Sequence, residues 1–300
     1  MWILFALVSA ALLGLYDVFK KQSLKENAVI PVLLINCIIC SLIFLPMIIL
    51  SHSGSIPQGS QYFVPEGDLH AHILVILKAF IVLSSWICGY FAIKHLPLTI
   101  VGPVNATRPV MTMIGGLLIF GENLNPWQWA GVVTAIVAFF LLSRTGKKEG
   151  ITFSTDHWIW LLIAAAVLGA ISGLYDKYLI AQAGLNRFFV QGWYNLYQSI
   201  IMGVILIALW YPTRKKTTPF VWKWTIPLIS IFLSAADLAY LYALTFPGAM
   251  ISVVSMVRRS SVIVSFTFGA LLFHEKNLRG KAVDLALVIL SLVFLLIGTL

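Results

Sequence analysis

Apolar residues along this chain come in runs broken by short polar stretches, and crossing roughly 30 Å of hydrocarbon at 1.5 Å per residue takes about 20 residues. Ten such runs are expected as helices, over residues 2–19, 28–50, 72–91, 98–120, 127–142, 158–180, 188–211, 220–244, 247–273 and 283–300. Most connections are short, and several turn at Asn, Gly or Pro, as in His95-Leu96-Pro97, Asn123-Leu124-Asn125-Pro126 and Phe246-Pro247-Gly248. Only residues 51–70 make a long loop, and its Ser, Gly and Pro content marks no domain of its own. The first run lacks the basic stretch that opens a signal peptide, so it is read as a helix of the mature chain.

Composition turns this pattern into a class. Apolar residues make up 60% and charged residues 10% of the chain, against roughly 45–50% and 25% in soluble domains. With a mean hydropathy of +0.95, an all-α integral membrane protein follows. The net charge of +9 does not point to nucleic acid, because the basic residues fall in short connections, where they set topology. Alternate connections hold Lys20, Lys21, Lys25, Lys94, Arg144, Lys147, Lys148, Arg214, Lys215, Lys216, Lys223, Lys276, Arg279 and Lys281, and the opposite side holds Arg187 alone. That asymmetry places both termini and the long loop outside the cytoplasm of a multi-pass protein of the cell (inner or plasma) membrane. Cys37, Cys40 and Cys88 lie inside apolar runs and are expected to pack rather than react. Glu66, His70 and His72 lack the spacing of a metal-ligand set. No phosphate loop or nucleophile elbow is present. No metal, cofactor or catalytic group is therefore expected.

The chain also repeats itself. Gly14-Leu15-Tyr16-Asp17 returns as Gly173-Leu174-Tyr175-Asp176, and Leu83-Ser84, Tyr90, Pro97 and Arg108 return as Leu233-Ser234, Tyr240, Pro247 and Arg258. Phe120-Gly121-Glu122 is matched by Phe273-His274-Glu275. Two halves are implied, residues 1–145 and 155–300, each with five helices. Because five is odd, the second half enters the membrane from the other side, and such inverted repeats bind substrate near the midplane where the halves meet.

Gly121-Glu122-Asn123-Leu124 running into Trp127-Gln128-Trp129-Ala130-Gly131, within two five-helix repeats, resembles the EamA branch of the drug/metabolite transporter superfamily. The second copy departs from the pattern at His274 and Asp284. The resemblance implies a central cavity lined by helices three, four, eight and nine of the ten, gates from one, two, six and seven, and peripheral helices five and ten. It also implies export of a small metabolite.

Arginines inside apolar runs are costly, about 3 kcal/mol each on insertion scales, and normally serve function or a buried partner. Arg108 and Arg258 each lie eleven residues after a proline, so both reach about 16 Å into the membrane, from opposite faces. Arg108 shares a helix face with Asn105 and Thr112, and Arg258 lies within an arc of Ser255, Ser261 and Ser265. Arg259 points elsewhere and is assigned a structural or secondary role. Asp237 is the depth-matched acid, and its repeat counterpart is Ile87. It either neutralises an arginine or yields to an anionic substrate or a proton, which would then be the coupling ion. Trp86, Tyr90 and Tyr240 are candidate pocket walls. Trp193 and Tyr194 fit interfacial anchors, being near a helix end. Asp17 and Asp176 are candidate gates on opposite sides, with solvated end charges as the other reading. A secondary transporter of a small anionic or zwitterionic metabolite is expected, with the lipid bilayer as its environment. The alternative is a membrane-embedded enzyme or flippase acting on a lipid-linked substrate.

Overall fold

A computed structural model describes residues 2–60, 62–120, 124–147, 153–243, 246, 254, 257–273 and 278–298. Ser255, Pro247, and both copies of the Gly/His-Glu motif at 121–123 and 274–277 lie outside them. Among the described residues every regular element is helical: α1 (Trp2–Leu24), α2 (Val29–His52), α3 (Leu69–His95), α4 (Leu98–Ala106), α5 (Arg108–Phe120), α6 (Pro126–Lys147), α7 (His157–Lys177), α8 (Arg187–Ile205), α9 (Thr225–Ala243), α10 (Ser261–Leu272) and α11 (Leu278–Ile297). Wider turns extend α7 over Tyr178–Gln182 and α8 over Leu206–Trp210. Six helices are long and apolar enough to cross a membrane, and Pro126–Leu142 and Thr225–Tyr240 are shorter apolar stretches.

The expected span over 98–120 is divided at Thr107, which lies between α4 and α5. Pro103 and Pro109 each remove a backbone donor, so the helical ladder loses two rungs within one and a half turns. Thr107 bridges the break by donating its hydroxyl to the Val104 carbonyl at 2.7 Å. Arg108 therefore opens a new helix, where the sequence pattern had placed it in the middle of one.

Polar caps fix several helix starts. Asp68 accepts from the Ala71 amide at 2.8 Å, Asp156 from Trp158 at 2.8 Å, and Asn186 from Phe188 at 2.8 Å. Asn27, fully buried after Glu26 at φ 53°, donates to the Val221 carbonyl at 2.7 Å and accepts from the Val221 amide at 2.9 Å. That pair of bonds ties the α1–α2 turn to the segment entering α9. Lys20 and Lys21, counted above as connection residues, are part of α1. Lys21 donates to the Ile93 and Leu96 carbonyls at 2.6 and 2.5 Å and so caps the end of α3.

Each half of the chain packs mainly on the other. The most extensive helix pairs are α1 with α9, α6 with α11, α3 with α7, and α2 with α8. Ser9 donates to the Ala236 carbonyl across α1 and α9, and Ser85 to the Ala165 carbonyl across α3 and α7, both at 2.7 Å. The largest buried cluster draws on α1, α2, α3, α4, α7 and α9 together, so neither half owns a separate core.

Candidate functional site

Arg258 comes from the helical residues just before α10, and its guanidinium donates through Nη2 to Oδ1 of Asp237 on α9. Tyr240, one turn beyond Asp237, lies under the same guanidinium with its ring centre 4.9 Å away. The pair is mostly enclosed, with side chains 19% and 21% exposed. Burial on that scale makes an unpaired charge expensive, so removing either partner costs far more than the pair contributes. The Arg258 Nε donor nonetheless stays buried and without a partner.

Arg108 does not join this pair. Its guanidinium lies flat against α7 at Gly169, so close that a Cβ there would fall 2.8 Å from both Cζ and Nη1. Its Nε is also buried and unpartnered, as is Oδ1 of Asn105 one turn earlier. Asp17 is the acid whose field Arg108 feels. Arg259, assigned a secondary role above, instead sits within the fields of Arg108, Arg258 and Asp17 at once. The centre therefore holds three arginines whose like charges act on one another. Ser265 is buried, but its hydroxyl bonds back to the Ser261 carbonyl at 3.0 Å and adds nothing to the arginines.

The two candidate gates differ in construction. Asp17 binds Lys20 of its own helix at 2.7 Å, and the Lys20 ammonium lies 4.2 Å from the Tyr16 ring and 5.3 Å from the Tyr90 ring. The Asp17 and Lys20 side chains are 20% and 10% exposed, whereas Asp176 is 44% exposed. Asp176 binds Lys78 of α3 at 2.5 Å, so this pair joins two helices, and Lys78 also rests 4.6 Å from the Tyr194 ring. Tyr194 is buried, not an interfacial anchor. Tyr90 is buried with the Lys20 group rather than with Arg258, and Trp86 packs among apolar side chains. Lys78 went unremarked in the sequence pattern, although a lysine inside the run 72–91 carries the same signal as the arginines.

Two cavities, of about 600 and 260 Å³, lie along the 51–68 loop and between that loop and the start of α8. Neither is lined by the charged centre. His72 bonds the Tyr197 hydroxyl at 2.8 Å and packs against Phe189 and Trp193. Among the described residues no three His, Cys, Asp or Glu side chains converge as metal ligands.

Residues 1–144 match the model of the EamA-like transporter family. The likeness covers the first half of the chain. A curated relative from Sinorhizobium sp., "Uncharacterized transporter in cobO 3'region", is 28% identical over 143 residues, which is 47% of this chain and 96% of that one. Among solved structures, a crystal structure superposes with a TM-score of 0.62 at 15% identity, covering 99% of this chain and 96% of the other. At that identity it speaks for the fold alone, and it does so for both halves. The first half of the chain is thus similar to EamA-like transporters, and six of the described helices are long and apolar enough to cross a membrane.

Proposed function

We propose that the protein is a secondary transporter that exports a small organic anion or zwitterion by alternating access. One observation carries the reading. Among the described residues, three guanidinium groups and the Lys20 ammonium share the Asp17 and Asp237 carboxylates, leaving two positive charges in surplus. A surplus of that kind is costly in a low-dielectric core unless an anion offsets it. The buried, unpartnered Nε donors of Arg108 and Arg258 are the groups that would receive it. An incoming carboxylate or phosphate competes with Asp237 for Arg258, and Asp237 either turns to a cationic group on the substrate or takes up a proton, which would couple transport to the proton gradient.

Ten spanning helices in two inverted five-helix units, residues 1–145 and 155–300, fit the packing. If α1, α2, α3 and α6 correspond to α7, α8, α9 and α11, exchanging the halves maps the four principal helix pairs onto themselves. The Lys78–Asp176 pair, which joins α3 to α7, serves as the gate on the outer side. Asp17, paired on its own helix, acts on the arginine centre from the cytoplasmic side and holds Lys20 between Tyr16 and Tyr90. Both termini lie outside the cytoplasm, following the charge asymmetry of the connections. In liposomes the purified protein should carry a small organic anion down its gradient unaltered, and Arg258→Ala should abolish that flux. Flux unaffected by Arg258→Ala, or chemical alteration of the solute, would refute the reading.

A further inference from the structure

Besides the arginine centre, two buried carboxamides have polar atoms with no partner. Gln198 on α8 is fully buried and neither its Nε2 nor its Oε1 makes a hydrogen bond. Asn36 on α2 is fully buried as well. Its Oδ1 accepts from the Ser230 hydroxyl at 2.9 Å and from the Cys40 thiol at 3.8 Å, while Nδ2 is left over.

The helix register puts Gln198 at the height of the ion pair. Ser230 meets Asn36, and Ser234 meets Cys40, at the same separation of 194 in sequence. Helices α2 and α9 therefore run parallel, and Asp237 falls at the height of Ile43. On the other side of α2, Ile48 touches Gly192 of α8. Gly67, His72 and Lys78 meet Phe189, Trp193 and Tyr194 in turn, so α8 runs parallel to α3 and antiparallel to α2. Six residues past Gly192, Gln198 falls at the height of Leu42, which puts it within about 1.5 Å of Asp237 along the axis. Asn36 lies about 9 Å further toward the start of α2.

Resting on the proposal that the arginine centre binds the transported anion, we infer that Gln198 and Asn36 form a carboxamide subsite that selects a hydroxylated carboxylate. Gln198 offers a donor beside an acceptor, which is the complement of a hydroxyl group. Asn36 offers a donor alone and takes a hydroxyl or carbonyl oxygen. The ligand's carboxylate lies on the arginines and its oxygen-rich chain extends about 9 Å along α2, the axial separation of the two amides. An anion with a plain hydrocarbon chain would leave both buried amides unpaired, and each unpaired group weakens binding by about tenfold. Helices α2 and α8, which the family resemblance makes gates, therefore carry specificity as well.

Gluconate and hexanoate have the same six-carbon carboxylate skeleton and differ in their hydroxyl groups, so they isolate this term. With the full-length protein in lipid nanodiscs and binding read by intrinsic tryptophan fluorescence, wild type should bind gluconate at least tenfold more tightly than hexanoate. Gln198→Met, close to glutamine in length but apolar, should cut that preference by about tenfold without weakening hexanoate. Gln198→Glu, which keeps the shape but removes the donor, should lower gluconate affinity as well and serves if the methionine variant fails to fold. Arg258→Ala should weaken both ligands. A wild type that does not prefer gluconate, or folded Gln198 variants that leave the preference unchanged, would overturn the inference. If Arg258→Ala spared both ligands while Gln198→Met still removed the preference, the arginine reading would fall and the carboxamide subsite would stand.

Discussion

Gly169→Ala adds one methyl group at the point where Arg108 meets α7. The new carbon would fall 2.8 Å from Cζ and Nη1 and 3.0 Å from Nε of Arg108. Ordinary carbon contacts lie near 3.5–4.0 Å, so the guanidinium must retreat by roughly 0.7–1 Å. Helix propensity alone would make the substitution stabilising by about 1 kcal/mol, and overpacking of a filled site costs about 1–3 kcal/mol. A net loss of about 1 kcal/mol in stability is expected, seen as a small drop in melting temperature. Transport should suffer more, because a hydrogen bond from a charged donor contributes about 1.5–3 kcal/mol, which is roughly tenfold to a hundredfold in affinity. Two neighbours supply the controls. A Cβ at Gly173 would first meet Thr112 at 3.7 Å, an ordinary contact, and one at Gly203 would meet nothing within 4 Å. Gly173→Ala and Gly203→Ala should therefore transport like wild type. Solute affinity measured in liposomes for the three variants decides the matter. Equal affinity for Gly169→Ala and Gly173→Ala would refute the placement of Arg108 in the binding site.

Asp237→Asn leaves the Arg258 guanidinium buried without its carboxylate, and a loss of about 2–4 kcal/mol in stability is expected, slightly below the range for fully buried pairs because about a fifth of each side chain is exposed. Adding Arg258→Gln to that variant should recover most of the loss, as measured by thermal unfolding in detergent; a double variant no better than the single one would contradict the pairing. Lys78→Met should open the α3–α7 side and raise cysteine reactivity there, whereas Lys20→Met should leave that side unchanged, because its acid is on the same helix. Single cysteines at Ser55 and Thr217 should label from outside and inside the cell respectively with an impermeant maleimide, and the reverse pattern would invert the proposed orientation.

Counting residues from Pro97 and Pro247 reads Arg108, Arg258 and Asp237 as one depth-matched set, and of these the structure pairs Arg258 with Asp237. Direction around the axis was harder. Arg108 turned toward Gly169 of α7, where the missing side chain admits the guanidinium, and Arg258 toward Asp237 of α9, which binds it. The repeat could not anticipate this, as Asp237 has Ile87 for its counterpart. Lys78 was legible in principle and was overlooked because positive charge was counted between helices rather than within them. Lys20 looked like a topology residue, and its burial depends on Tyr90 arriving from α3. The break at Thr107 was written in Pro103 and Pro109, yet continuous hydrophobicity over 98–120 outweighed them. Gln198 in the run 188–211 reads from the sequence as an amide near the charges, and only the fold shows it fully buried with both polar atoms unpartnered.

The central claim is that buried positive charge around Arg258 binds a metabolite that the cell exports. Small molecules inside cells and in their medium can be compared between wild type and Arg258→Ala at equal amounts of folded protein. The account predicts that at least one anionic or zwitterionic solute builds up inside the variant cells and is depleted outside them. Indistinguishable profiles, or a difference confined to cationic solutes, would contradict it.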